Sequence, residues 1–523
     1  MRTFLFFFGL LISIACDAQN VFIPHGFFKS YLIGRPDINT NGDSEIQVSE
    51  ANAFTGTIAY SYTGVLNPLS SLTGIEAFTK LTVLDCSNNK ITNLDLSNNT
   101  ALKTLNCSSN QITNINISKN TALTSLNCSS NKLTTLDISK NTALTSFSCS
   151  SNLLQDLNIN TNISLKNFSC DNNKISILDL SNNSALTSMN CSSNQLINLD
   201  VSKNINLTNL LFSTNQISTI DLSKNTGIQN LECAFNLIKT IDLSKNTSLL
   251  KLLCYYNKLT SLDMSNNVKL TSLSAEFNLL TSIDLSKCIA LTDLNLTNNK
   301  LTNIDLSKNT ALQSFSCYYN LLTNLNLTKN KALVSLSCAN NEITSLNVSE
   351  NLALTSLACQ QNQITSLDVS KNILLKNLQC HHNKLLNINM KNGNNIGLQG
   401  FNTTQNPDLD CIQVDNVQFA NSNVNSGYWS KDYTATFYAV CELMETSNYS
   451  REKIGVFPNP TKSFLYFSVK ANAAIYNLSG QKVNSQKETT SMDVSKLPNG
   501  VYIIVLTDKN GKEIQRDKVV IKN

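Results

Sequence analysis

The chain of 523 residues is short of several things that whole classes of function need. Only 15% of its residues are charged and the net charge is +4. No basic face is concentrated enough to neutralise a phosphate backbone, so nucleic-acid binding is excluded. Histidine occurs three times, too sparsely for the tuned acid–base pairs of most hydrolytic sites. Aromatic residues make up 7%, so a core of this size must rest on Leu and Ile. No apolar run reaches the length of a membrane span. The longest, Phe4 to Ile14, follows Arg2 and leads to small residues at Cys16 and Ala18. It reads as an export signal over residues 1–18 that is cleaved before Gln19. A lipid anchor on Cys16 is the weaker alternative, because Ser13 stands where an apolar residue is wanted.

What the chain has is a period. From Cys86 a cysteine returns every 21 residues, through Cys107 and Cys128 and on to Cys380. Phe212, Ala275 and Leu296 replace it at three of fifteen positions. Three residues later an Asn always follows, from Asn89, Asn110 and Asn131 to Asn383. No residue is inserted or lost. Only stacking gives each copy the same surroundings, so each copy is one coil of a solenoid. The coil Leu123–Ala143 holds two near-copies of one pattern, Leu-x-x-Leu-x-Cys-x-x-Asn and Leu-x-x-Leu-Asp-Ile-Ser-x-Asn. Local alternation of apolar residues predicts a short strand in the first half and an extended segment in the second. At about 4.8 Å per coil, fifteen coils give a parallel sheet roughly 70 Å long.

The Asn columns are expected to be structural. Corner backbone groups have no strand partner, and an inward amide carries both a donor and an acceptor to satisfy them on adjacent coils. The second half repeats the device at Asn99, Asn120 and Asn141, broken at Cys288 and Gly393. The register cysteines read as free core thiols, because their replacements are simply apolar and a thiol packs as a small hydrophobe. Cross-linked rungs are the alternative reading. A metal wants a closed ligand set, not one ligand per coil.

Together these patterns resemble the bacterial leucine-rich repeats of 21-residue nested period, the IRREKO type, over Leu81 to about Asn395. Residues 454–523 are similar to the C-terminal sorting domain of type IX secretion substrates. The matching stretches are Val456–Thr461, Ile475–Gly480, Leu497–Tyr502 and Asp517–Lys522. That segment lacks Cys, and its alternating runs around Asn510-Gly511 predict a small all-β domain. The resemblance implies export through the type IX machinery of a Bacteroidetes-type, Gram-negative bacterium, to the outer-membrane surface or beyond.

The expected fold is mainly β: a leucine-rich-repeat solenoid with parallel strands, capped at both ends, then a small β-sandwich. Residues 19–80 form the N-terminal cap and 81–410 the solenoid, of about fifteen repeats plus a degraded last one. Residues 411–441 form the C-terminal cap and 442–453 a linker. Cys411 and Cys441 lie outside the register, and in an exported chain they are expected to form a disulfide. In the N-terminal cap, Asp37, Asn39, Asn41 and Asp43 surround Gly42 as in the first half of a calcium loop, with Glu50 two residues too distant to close it. A bound calcium and a plain Asn/Asp/Gly turn both fit; no other cofactor is implied.

The two residues after each register Cys are small and polar in the first coils, as at Ser108-Ser109. They then become Phe235, Tyr255-Tyr256, Phe277, Tyr318-Tyr319, Gln360-Gln361 and His381-His382. This stripe suits stacking on sugars or anchoring of a protein, or it is extra packing. The tandem histidines lack a nearby acid or Cys to complete a metal set. On the opposite half Asp95, Asp137 and Asp179 recur with Lys119, Lys140 and Lys203, a charge-balanced solvated face. The expected function is that of a monomeric, non-enzymatic recognition protein, adhesin-like, for an unidentified protein or glycan. A structural surface component without a ligand is the alternative, and a hydrolytic enzyme the remote one.

Overall fold

A computed structural model describes residues 19–61, 67–441, 454–509, 511 and 513–522. The export signal at 1–18, with Cys16, and the linker at 442–453 lie outside the described residues. The chain divides into two compact units, Met1–Ala439 and Val440–Asn523.

The first unit is a solenoid. Its main sheet has 18 three- or two-residue strands, all pairing in parallel, from Thr57–Ala59 through Val83–Asp85 and one strand per coil to Trp429–Ser430. The sheet therefore begins one coil before the 21-residue register. From Val83–Asp85 to Asn377–Gln379 the registers run 21 residues apart without slip, as in Leu105 opposite Leu126. In the coil Leu123–Ala143, Leu123, Leu126, Cys128, Leu133 and Ile138 are at most 1% exposed. Each such side chain contributes about 1.5–3 kcal/mol on burial. No coil could hide them alone, which is why the copies stack.

The second halves are extended but mostly unpaired. They form ladder strands only near the C-terminal end, at Ser366–Asp368, Asn387–Asn389, Cys411–Gln413 and Thr436–Tyr438. Elsewhere each second half is tied by its own turn. The Asp or Asn after the fourth Leu accepts a hydrogen bond from the amide two residues on, as Asp200 does from Ser202 at 2.8 Å. That bond is the main reason the Asp200 carboxyl is held below its usual range. Asp179, Asp221, Asp242, Asp263, Asp284 and Asp305 repeat it.

Helices Gly26–Ile33 and Val48–Ala53 cover the N-terminal edge, with Phe28, Leu32, Ile38 and Ile46 fully buried. Helix Val417–Asn425 and Trp429 cover the other edge. There Trp429 packs on Phe401 and Phe437, and its Nε1 donates to Leu398 O. The degraded last coil keeps its ladder residue: Asn406 Oδ1 accepts from Leu385 N and its Nδ2 donates to Cys380 O. At Gly393 the neighbouring Asn392 takes over, donating to Asn372 O at 3.0 Å.

The second unit is an antiparallel sheet of five strands, Val456–Phe457, Phe464–Tyr476, Lys482–Asp493, Gly500–Thr507 and Glu513–Ile521. Register shifts between Tyr466 and Ala471 break the long hairpin, and Leu465, Phe467, Ile475, Ile504, Leu506 and Val519 share one core.

Candidate functional site

Three columns run through the solenoid, and the first fixes what the other two can do. Asn110 Nδ2 donates to Cys86 O, Cys107 O and Ser108 O at 3.0–3.2 Å, and its Oδ1 accepts from Ile91 N at 3.0 Å. Asn89 and Asn131 do the same in their coils. The side chain staples two coils at the corner after the strand. The second column uses only half of its amide. Asn120 Nδ2 donates to Leu96 O and Asn99 O at 3.0 and 2.9 Å, while its Oδ1 is buried without a partner. The same acceptor is idle at thirteen Asn of this column, which departs from the expectation that both ends of the amide are used.

The register thiols form the interior wall. Cys86, Cys107 and Cys128 are at most 1% exposed and free, as are the other register cysteines. Burial pushes the Cys107 thiol up to about 12, so it stays protonated and unreactive. Cys411 and Cys441 are both buried and disulfide-bonded.

Two residues after each thiol the backbone turns through the left-handed region. Sixteen non-glycine residues do so, from Asn88 at φ 55° to Gln405 at φ 62°, one per coil. This inverts the chain between the strand and the stapling Asn. A side chain here is swung outward, and for a bulky residue the conformation costs about 1–2 kcal/mol. Phe235, Tyr256, Phe277 and Tyr319 all occupy it, with φ between 51° and 55°. Part of the cost is met by stacking. Phe235 and Tyr256 lie 4.5 Å apart, Tyr256 and Phe277 4.1 Å apart, both pairs within 9° of parallel. Tyr255 meets Phe235 edge-on at 5.4 Å. Tyr318 and Tyr319 form a separate T-shaped pair, cut off from the stack by Asn298.

Tyr256 therefore has a ring on each face, yet it is 43% exposed. What solvent sees is ring edge and hydroxyl. The arrangement presents ring edges where the sequence suggested stacking on sugars, anchoring of a protein or extra packing. It also brings in residues that the period alone did not single out. Leu237, Leu279 and Leu321 stand two residues after Phe235, Phe277 and Tyr319 and are 40–46% exposed. Leu211 and Leu253, on the outer strand face of nearby coils, are half-buried. The result is a mostly apolar patch, interrupted by Glu232 and Lys258, while most other coils carry Ser or Asn at the turn itself. Their signal in the sequence was a Leu where other coils have Lys or Gln. Gln361 bonds back to Asn340, and His381 and His382 turn their Nδ1 atoms to each other at 2.8 Å. Neither pair extends the aromatic stack.

The loop in the N-terminal cap gathers some of its expected ligands and not others. Asp37 is turned to Arg35, whose Nε and Nη2 reach its two oxygens at 2.8 and 2.5 Å. Asn41 and Asp43 hydrogen-bond to each other and to Gln47, and Asn39 Oδ1 takes the amide of Gly42. Glu50, 8% exposed, sits at the centre: Oε1 accepts from Thr40 N, Thr40 Oγ1 and Asn41 N, and Oε2 from Gln47 N. Among the described residues no group of three or more His, Cys, Asp or Glu is arranged to hold a metal.

On the opposite half, a polar groove of about 590 Å³ is lined by Asn116, Thr135, Asp137 and Asp156. The side chains of Asn116 and Asp137 are already committed to their local turns.

Residues 79–120 match the family of leucine rich repeats, and residues 455–522 match the secretion system C-terminal sorting domain. No curated protein matches the chain. Among solved structures, it is similar to the functional domain of InlJ from Listeria monocytogenes, described as including a cysteine ladder. The two are 26% identical, with 96% of this chain and 98% of that one covered and a TM-score of 0.60. A leucine-rich-repeat protein of Leptospira interrogans is 22% identical over 74% of this chain and 97% of that one, with a TM-score of 0.57. YopM from Yersinia enterocolitica is 22% identical over 68% and 78%, with a TM-score of 0.55. The last two show the fold alone. The solenoid is a leucine-rich-repeat solenoid, and the C-terminal unit is a sorting domain that marks the chain for export. No helix among the described residues is long and apolar enough to cross a membrane.

Proposed function

We propose that this exported protein recognises another protein at the bacterial surface, through the patch formed by Phe235, Tyr255, Tyr256, Phe277, Leu237 and Leu279. The observation that carries the reading is the conformation of the aromatic residues. Ser or Asn serves the same left-handed turn in most other coils at lower cost, as at Ser109 and Asn172. Bulky rings placed there spend stability on something other than the fold. Exposed rings beside exposed leucines, rimmed by Ser and Asn, form the kind of surface that anchors a protein partner.

Ring edges favour a protein over a sugar, because a pyranose packs on a ring face and both faces of Tyr256 are taken. Catalysis finds no support in the surroundings: the patch has no histidine, and of the two carboxylates near it Glu232 is paired with Lys251.

Protein and glycan arrays probed with the full-length chain test the reading. Native protein is expected to capture protein spots, and the double variant Tyr255→Ser, Tyr256→Ser to lose them while staying folded. Capture of glycans alone would overturn the protein reading. Capture of nothing would favour a structural surface component.

A further inference from the structure

In the last coil of the stack, next to Phe277, is a residue that fits neither the fold nor an apolar anchor. Glu276 follows Ala275, the register position where a Cys is replaced by the smallest side chain of the column. Tyr255 and Thr297 stand in the same column one coil before and one coil after, and Phe277 of the stack is the next residue. The Oε2 atom of Glu276 is buried and has no hydrogen-bond partner. Burial pushes its carboxyl above the usual range, and only its own backbone amide draws it back.

The charges nearby do not help it. Glu232 and Lys251 close an ion pair on each other at 2.9 Å. Lys258, in the column of Leu237 and Leu279, is exposed, and no Lys or Arg among the described residues pairs with Glu276. In other coils this column holds Ser108, Ser129 or Ser192, which need no partner cation. A half-buried carboxylate without one is costly. The fold gains nothing from it.

We infer that Glu276 is the specificity residue of the patch and that it receives a basic side chain, arginine or lysine, from the partner protein. The aliphatic stem of such a side chain packs along the ring edges of Tyr256 and Phe277, and its head reaches the carboxylate. The apolar rings supply area, and Glu276 rejects partners that present an apolar or acidic group there, because its charge would then be buried unpaired. This inference rests on the protein-recognition reading above and narrows it to partners with an exposed basic residue.

The test uses two probes that differ only in charge, N-acetylarginine amide and its uncharged counterpart N-acetylcitrulline amide. Each is titrated by NMR into the full-length native protein, Glu276→Gln and Tyr256→Ser. The arginine probe is expected to bind native protein about tenfold tighter than citrulline, the worth of one charge-assisted contact. In Glu276→Gln that preference should fall to within about twofold, with citrulline binding unchanged. Equal affinities on the native protein, a preference kept in Glu276→Gln, or no saturable binding of either probe would each overturn the inference. Tyr256→Ser reports separately on the patch. Weaker binding of both probes supports it, and unchanged binding of both removes the rings from the site whatever Glu276 does.

Discussion

Cys288 stands in the second Asn column, and its thiol points at the carbonyl of Asn267 at 3.7 Å, with Met264 O at the same distance. Those carbonyls belong to the positions that every Asn of the column serves, as Asn309 serves Leu285 and Cys288. A side chain that makes only donor contacts here can thus hold the place. The column needs a donor, which agrees with its idle acceptors.

The two Asn columns should therefore respond differently to the same change. Asn225→Cys keeps a donor toward Val201 O and Asn204 O and is expected to cost about 1 kcal/mol or less. Asn236→Cys can keep a donor toward the carbonyls of Phe212 and Cys233 but leaves the amide of Ile217 unpaired, and should cost about 2–4 kcal/mol. Urea unfolding of the two variants measures the difference. Equal losses would mean that the idle acceptors are used.

The left-handed turn makes a second prediction. Ser130 sits at φ 55° with no ring to stack on, so Ser130→Gly should raise stability by about 0.5–1 kcal/mol in the same assay. Tyr256→Gly relieves the same strain but removes the middle ring of the stack, and should show no such gain. A stabilised Tyr256→Gly would show that the stack contributes nothing to the fold.

The N-terminal cap should be acid-labile through Glu50. Burial works to raise its carboxyl, but the hydrogen bonds from Gln47, Asn41 and Thr40 outweigh this and hold it below its usual value. A depressed folded pKa stabilises above the unfolded value, near 4.3, and that contribution is lost as pH falls through the folded one. Glu50→Gln is expected to cost about 2 kcal/mol at pH 7 and to flatten the fall in melting temperature below about pH 4. With Asp37 bound to Arg35 and the oxygens of Asp43 and Glu50 held by N–H donors, we propose a turn closed by its own hydrogen bonds. Millimolar calcium should then leave the melting temperature unchanged. A rise would restore the calcium loop.

The sequence made the architecture legible because each coil repeats the same burial problem. Leu126, Cys128 and Asn131 stand where their spacing placed them, since a side chain repeated fifteen times must meet the same neighbours. The turn after the thiol was hidden. Asn88, Asn172, Asn298 and Asn340 hint at a left-handed residue, but Ser, Phe, Tyr and Gln share the position and do not ordinarily favour it. The second Asn column looked like the first because spacing does not reveal which end of an amide is used. The calcium reading counted oxygens by type, and Arg35, two residues before Asp37, decided where one of them went. The patch was half legible. Rings in a column were visible; their closure on one another, the flanking Leu residues and the unpartnered Glu276 needed coordinates.

Alkylation of the thiols, followed by mass spectrometry in the absence of reductant, tests most directly the dry stacked interior on which everything else stands. The thirteen free cysteines among the described residues, Cys288 and the twelve of the register, should stay unmodified in the folded protein and all react once it is unfolded. Labelling of Cys128 or its neighbours in the folded state, or their failure to react after unfolding, would contradict it.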